Sequence, residues 1–411
     1  MYRSGPDKRI ALMKSKKSAL SQKQAAREIL VLAASAALSP EAREAISSLL
    51  KHDVDWQHLL DLADYHGVGP LVSHNLLRDD DFAGRVPRPY AEKLNAVYHN
   101  SLYKNILFTE ELSKVLAALN ENNVPAIVLK GVILSELLYN NPGLRAMSDI
   151  DIMVPADLMR RAKSLISGLG YRPDTGKEPW EHPFHEVPYY KRAQVPVFIE
   201  LHRNLDDPGL VDIPLQDIWR RAQEVRMQGL TSLLLSPEDT LLHLSNSFSK
   251  PSDYKLKTLA DITELLKKYE GLLDWDYVLE SARTWRVHIV LGCALEYARS
   301  LLGAPVPEAV TKALRPGFWR SLAQKILTGR GKFISPIRWS KLRNETLVLR
   351  KSLMMDRPGQ MAIVFSRFRG RRSGVAWFKS AVWILFVFFT ALGRYLMRPG
   401  DGKMQHKLSR I

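Results

Sequence analysis

The seven residues Ser148-Asp149-Ile150-Asp151-Ile152-Met153-Val154 constrain this chain more than any other stretch. Acids alternate with apolar residues, which predicts a strand whose side chains point by turns to opposite faces. Asp149 and Asp151 then share one face, and Ile150 and Ile152 the other. Two carboxylates held side by side repel unless a cation lies between them. Hard oxygen ligands at this spacing suit Mg2+, which keeps bonds to substrate phosphates. The competing account is an exposed strand face with solvated acids, because D-x-D is a short motif.

Two other segments bear on that choice. Upstream, Val128-Leu129-Lys130-Gly131 puts a glycine where a strand passes into a helix. Backbone N–H groups at such a junction can face phosphate, and a missing Cβ permits close approach. Lys130 offers a point charge to the same phosphates, or is a solvated lysine at a strand end. Downstream, Val197-Phe198-Ile199-Glu200-Leu201-His202 sets one acid in an apolar strand. An acid there is costly unless paired or ligating a metal, so Glu200 is the expected third ligand.

Around these segments the pattern changes twice. Residues 29–123 read as a helical N-terminal region: Gln24 to Leu50 is rich in Ala, Leu and Glu, Trp56 to His66 has helical spacing, and Pro89 to Asn120 is long and amphipathic. Residues 124–233 alternate short apolar runs with helices, with strands expected at Val124–Leu129, Ser148–Val154, Glu186–Lys191 and Val195–His202 and a helix from Pro155 to Leu169. From 234 to 330 the chain returns to helices, opened by Ser236-Pro237-Glu238-Asp239 and continuing at Leu259–Tyr269, Asp274–Trp285 and Arg286–Leu302. The expected fold class is α+β, a small mixed sheet flanked by N- and C-terminal helical layers.

The net charge of +16 belongs to the ends. Residues 1–28, read as a flexible basic leader, carry 8 Lys or Arg against 2 acids, and residues 331–411 carry 17 against 3, so the intervening chain is slightly acidic. A near-neutral core without an aromatic-and-basic strand argues against nucleic acid as the partner. Within the tail, Val375 to Leu392 is apolar but interrupted by Lys379 and Ser380, and it is flanked by arginines between 367 and 398. That arrangement suits an anionic membrane surface or a tail anchor, with a buried helix or self-association face as the alternative. The single cysteine, Cys293, excludes a disulfide framework or thiolate cage within one chain, and the polar N-terminus lacks a secretory apolar core. Both point to the cytoplasm, with a peripheral or anchored position on the inner face of a membrane as an extension.

The order L-K-G (Leu129 to Gly131), a helix, R-x-x-x-D-x-D (Arg145, Asp149, Asp151) and then Ile199-Glu200-Leu201-His202 resembles the uncharacterised nucleotidyltransferases of the DNA polymerase beta superfamily. The likeness extends over roughly 55–269 and includes WQHLLDLADYHGVGPLV, LLYNNPGLRAMSDIDIMV and LSPEDTLLHL. It implies a sheet of the polymerase beta type, and attack of an acceptor hydroxyl on the α-phosphate of a nucleoside triphosphate such as ATP, with Mg2+ or Mn2+. By the same resemblance Asp149, Asp151 and Glu200 hold the metal, Glu200 helps deprotonate the acceptor, and Gly131 receives the triphosphate. Arg145 braces the carboxylates or a phosphate, unless it forms a structural salt bridge. The superfamily's Gly-Ser pair is Gly131-Val132 here, which leaves Ser135, one turn on, as the substitute hydroxyl. His185 and His202 are expected on the acceptor side, with surface or core roles as alternatives; the acceptor is a small molecule, a sugar or a protein. A second class of function, a non-catalytic nucleotide-binding scaffold at a membrane in polysaccharide or cell-envelope assembly, draws on the missing serine and the basic, apolar tail.

Overall fold

The computed structural model describes residues 21–174, 186–206, 210–227, 230–250, 253–315 and 333–334. The described residues up to Leu314 belong to one compact unit, so the regions expected at 29–123, 124–233 and the start of 234–330 are layers of a single body.

The N-terminal layer holds α1 (Gln22–Ala33), α2 (Pro40–Leu49), α3 (Trp56–His66), α4 (Gly69–Leu77), the short α5 (Asp80–Ala83) and the 34-residue α6 (Arg88–Glu121). The helices expected between Gln24 and Leu50, with a start at Ser39-Pro40, are α1 and α2, and tertiary partners hold the chain between them at 34–39. Asn75 Nδ2 donates to the carbonyls of Ala33 and Ser35, and the Ala36 N–H donates to Glu264. Ser39 then caps α2 by accepting from the Ala42 N–H, with Pro40 at the first helical position. Helix α3 ends at Gly67, whose φ of +66° is the left-handed stop that glycine adopts without strain.

The central layer is a seven-stranded mixed sheet: β1 (Ile127–Val128), β2 (Ile150–Met153), β3 (Arg172–Pro173), β4 (Glu186–Lys191), β5 (Val197–His202), β6 (Gln223–Met227) and β7 (Leu230–Leu234). Strand order is β3-β4-β5-β2-β1-β7-β6, with β2 parallel to β5 and antiparallel to β1, and β1 parallel to β7. Ile127, Val128, Ile150, Ile152, Met153, Ile199 and Leu201 are each at most 1 % exposed, so the core runs through the sheet's centre. Helices α7 (Val132–Tyr139), α8 (Met159–Gly168) and α9 (Leu215–Arg221) join the strands. The expected strands at 124–129 and 148–154 are shorter in the structure. Helix α9, the β6–β7 hairpin and β3 were not anticipated, because β6 is an exposed, polar edge strand and β3 only two residues long.

The C-terminal layer, α10 (Pro237–Ser247), α11 (Leu256–Lys268), α12 (Trp275–Thr284), α13 (His288–Leu302) and α14 (Glu308–Ala313), packs through α11 on α7. Ser236 caps α10 by accepting from the Asp239 N–H, as its sequence predicts. The fold class is therefore α+β, a seven-stranded mixed sheet with helical layers before and after it in the chain. Those layers meet each other where the Ala36 N–H donates to Glu264 and the Leu256 N–H to His66. Among the described residues no helix is long and apolar enough to cross a membrane. The stretch 367–398 and the first twenty residues lie outside the described residues.

Candidate active site

The register of β2 against β5 builds the site. Asp151 is paired with Glu200 and Met153 with His202, and residues paired across parallel strands point to the same face. His202 follows Glu200 by two, so Asp151, Glu200 and His202 share a face while Ile150, Ile152, Ile199 and Leu201 fill the opposite one. Strand β4 adds Glu186, which pairs with His202 across the antiparallel ladder. Asp149 immediately precedes the first residue of β2 and is acted on by the charges of Asp151 and Glu200.

The segment that delivers Asp149 to β2 is tied down on both sides. Asn105 of α6 donates to the carbonyls of Pro142 and Arg145, and Tyr98 packs where a Cβ on Gly143 would come within 2.8 Å of its ring. From the other side, Asp261 of α11 takes a bidentate pair from Arg145, Nη2 to Oδ2 at 2.9 Å and Nε to Oδ1 at 3.0 Å, and a third bond from the Tyr139 hydroxyl at 2.8 Å. Arg145 therefore spends its guanidinium on Asp261, which is the salt-bridge alternative left open by the sequence.

The β1–α7 turn closes over the acids. Gly131 has a φ of +63°, a backbone conformation that favours glycine, and a Cβ there would crowd the Asp149 carbonyl oxygen and Met147 Sδ, each at 3.3 Å. Lys130 reaches Asp151 Oδ2 with its ammonium at 4.0 Å. Ser135 turns away from the acids: it is buried, and its hydroxyl donates to the Pro142 carbonyl at 3.4 Å.

The electrostatics are those of crowded acids under partial compensation. Asp149 is raised above the usual carboxylate range by burial and by the charges of Asp151 and Glu200. Burial also raises Asp151, but the Lys130 ammonium and a 3.1 Å hydrogen bond from His202 Nε2 outweigh it and hold that carboxyl well below its ordinary value. Burial lowers His202, whereas its bonds to Asp151 and Glu200 raise it further, to about 9. Nε2 of His202 also lies 3.7 Å from Glu200, and its Nδ1 is 3.7 Å from Glu186. For Lys130 burial is likewise opposed, by Asp151, Asp253, Asp149 and Glu200, which together raise its pKa.

Asp151, Glu200 and His202 each bring one ligand atom to within 4.8 Å of the others. Two carboxylates and an imidazole, with a third carboxylate beside them whose charge burial disfavours, fit a divalent cation. The sequence-predicted set is thus brought together with one change of emphasis: His202 stands inside the acid cluster and not beside it, and Asp149 flanks the closest group. His185 lies outside the described residues. Sequence reasoning missed Glu186, Asp261, His243 and Lys257. Only the isolated acid in the apolar helix Leu-Ala-Asp261-Ile, and the lone His243 in Leu-Leu-His-Leu, could have signalled any of them.

Residues 52–303 match the family described as uncharacterised nucleotidyltransferase. The chain belongs to that family. No curated protein matches it. A crystal structure of an antigenic nucleotidyltransferase-like protein from Paracoccidioides brasiliensis is similar over 52 % of this chain and 97 % of that one, at 14 % identity and a TM-score of 0.30. The matched span contains every residue named above for the site and its supports, from Tyr98 to Asp261.

Proposed function

We propose that this family member is a divalent-metal-dependent transferase that moves a nucleoside monophosphate from a nucleoside triphosphate, ATP among the candidates, to the hydroxyl of a small-molecule, sugar or protein acceptor. The observation that carries the reading is Asp151 and Glu200 side by side in register on parallel strands, with Asp149 two residues before Asp151. Asp149, Asp151 and Glu200 would hold Mg2+ or Mn2+ through their oxygens. Such an ion, when bound, stabilises charge developing on the phosphoryl oxygens.

The chain's own groups have distinct tasks. Lys130 and the Gly131 turn face the triphosphate, one with charge and the other with backbone room. His202 orients the Asp151 carboxylate through its Nε2 bond. Glu200 receives the proton of the acceptor hydroxyl as the acceptor oxygen bonds to the α-phosphorus. The bond from that phosphorus to the bridging oxygen breaks at the same centre, and pyrophosphate leaves with the electron pair. Arg145 and Asp261 act only by fixing the segment that carries Asp149.

The test is pyrophosphate release from each nucleoside triphosphate with Mg2+ or Mn2+ and a broad mixture of hydroxyl acceptors, in the wild type and in Asp149→Ala/Asp151→Ala. Metal-dependent release that disappears in the double variant is the expected result. A wild type that neither binds nor turns over any triphosphate with either metal overturns the reading.

A further inference from the structure

We propose that the polyphosphate of the substrate is gripped from the C-terminal helical layer, by Lys257 at the start of α11 and His243 within α10, opposite the acids of β2 and β5. This rests on the nucleotidyl-transfer reading above and names the residues that complete its phosphate site.

Lys257 is the second residue of α11, where a cation is disfavoured by the partial positive charge of the helix N-terminus. No side chain caps that end. The lysine stem lies against the left-handed Gly67, whose Cβ, if present, would touch Lys257 Cδ at 3.4 Å. Four residues on, along the same face of α11, Asp261 is already committed to Arg145 and Tyr139. Among the described residues the Lys257 ammonium has no ion-pair partner. Burial and Arg145 lower its pKa against the pull of Asp261, Asp253 and Asp149. The ammonium therefore feels the charge of Asp149 and has no ion-pair partner among the described residues. Asp149 and Asp253 are also among the acids that act on Lys130, so the two lysines serve one acidic locus.

His243 supplies the second, independent observation. It is 2 % exposed, and neither ring nitrogen has a hydrogen-bond partner among the described residues. Buried polar atoms are rarely left in that condition unless a ligand or water completes them. The charged and titratable groups that act on it are Lys130, Lys250, Asp151 and His202, of which Lys130, Asp151 and His202 belong to the acid cluster. Burial and the two lysines keep the ring neutral, so it offers one N–H donor. Lys250 is held 3.8 Å from Asp206, which leaves Lys257 and His243 as the uncommitted members of this wall.

Phosphate is the chemistry that an ammonium and a neutral imidazole N–H share as donors, and it is what this site lacks elsewhere. The β1–α7 turn carries Val132 where a serine hydroxyl would serve, and Ser135 is turned to Pro142. Donors from the helical layer replace that hydroxyl.

The probe is inorganic tripolyphosphate, titrated calorimetrically into the full chain with Mn2+ present, alongside Mn2+ alone followed by electron paramagnetic resonance. Loss of one charge-assisted contact predicts that Lys257→Met weakens tripolyphosphate at least about tenfold. His243→Gln is expected to weaken it by a smaller factor, and Lys257→Arg to retain most of the affinity, while Mn2+ alone binds each variant no more weakly than the wild type. Melting temperatures establish that each variant is folded, and if His243→Gln is not, Lys257→Met decides alone. Wild-type tripolyphosphate affinity in Lys257→Met overturns the grip and leaves the metal site and the transfer reading standing. A wild type that binds neither Mn2+ nor tripolyphosphate overturns both.

Discussion

Two charge clusters meet at the segment leading into β2, and they are completed in different ways. Around Asp261, one buried carboxylate takes a bidentate pair from Arg145 and a hydroxyl from Tyr139, all between 2.8 and 3.2 Å. Around Asp151, the Lys130 ammonium stands 4.0 Å from that carboxylate and His202 bonds it at 3.1 Å, with Glu200 and Glu186 each 3.7 Å from the imidazole. The first cluster has short bonds and matched charge, and holds α11 to the sheet. The second has an excess of acid and, beyond the one bond from His202 to Asp151, only contacts of 3.7–4.0 Å, and its carboxylates are pulled in opposite directions, Asp149 up and Asp151 down. The Asp261 pair is saturated by the chain itself, and the excess of acid around Asp151 is what the proposed metal would offset.

That contrast predicts opposite phenotypes. The largest effect is expected at Asp151: on the proposed function, Asp151→Asn removes a metal ligand worth several kcal/mol of transition-state stabilisation, about 10³-fold or more in turnover. Its melting temperature should stay near that of the wild type, and parallel rate and calorimetric measurements check both. Next is Arg145→Met, which strands Asp261 as an unpaired buried carboxylate at a cost of about 3–5 kcal/mol in urea unfolding. Arg145→Met/Asp261→Leu removes both charges and should recover much of that loss. If Asp151→Asn unfolds the chain, or Arg145→Met spares it, the division between the clusters fails. A smaller effect follows from ligand binding: Mn2+ at a hundred times its dissociation constant should stabilise the wild type by about 2.7 kcal/mol. The rise in melting temperature should vanish in Asp151→Asn and survive in Arg145→Met/Asp261→Leu.

How much of this was legible depended on the range of the interaction. Alternation over seven residues gave the shared face of Asp149 and Asp151, and the glycine at 131 was readable because a strand-to-helix turn there favours it. The isolated acid at 200 was readable because the residues around it are apolar. What could not be read was register and partner. Asp151 meets Glu200 only because β2 and β5 pair in parallel, and the same pairing draws His202 into the acid cluster. Arg145 could equally have faced phosphate until Asp261, 116 residues away, occupied it. Lys257 and His243 sit in helices whose spacing signals only burial, so nothing local separates them from core or surface residues. The sheet's centre was found and its edges were not, because β6 is polar and its pairing with β7 is set by contacts beyond either strand.

A third charge cluster, at the rim, tests whether saturation or position sets the response to pH. Glu111 of α6 accepts from Lys114, from the Tyr171 hydroxyl at 2.8 Å and from Lys191 at 3.0 Å, joining the helix to β4. Burial raises its pKa, but those three hydrogen bonds outweigh burial and lower it from 4.5 to about 2. A carboxylate depressed on folding stabilises the protein fully above its unfolded pKa of 4.5 and loses that contribution as pH falls toward 2. Glu111→Gln should therefore narrow the stability difference from the wild type steadily between those two values and leave the melting temperature parallel to it above pH 5. The effect is expected to be the smallest of the four, because Lys191 and Lys114 remain partly exposed and solvent screens the pair. If the acid limb of the wild type is unchanged by Glu111→Gln, the rim contact is a surface ion pair without weight. Short bonds would then stabilise this fold only where both partners are buried, as they are at Arg145 and Asp261.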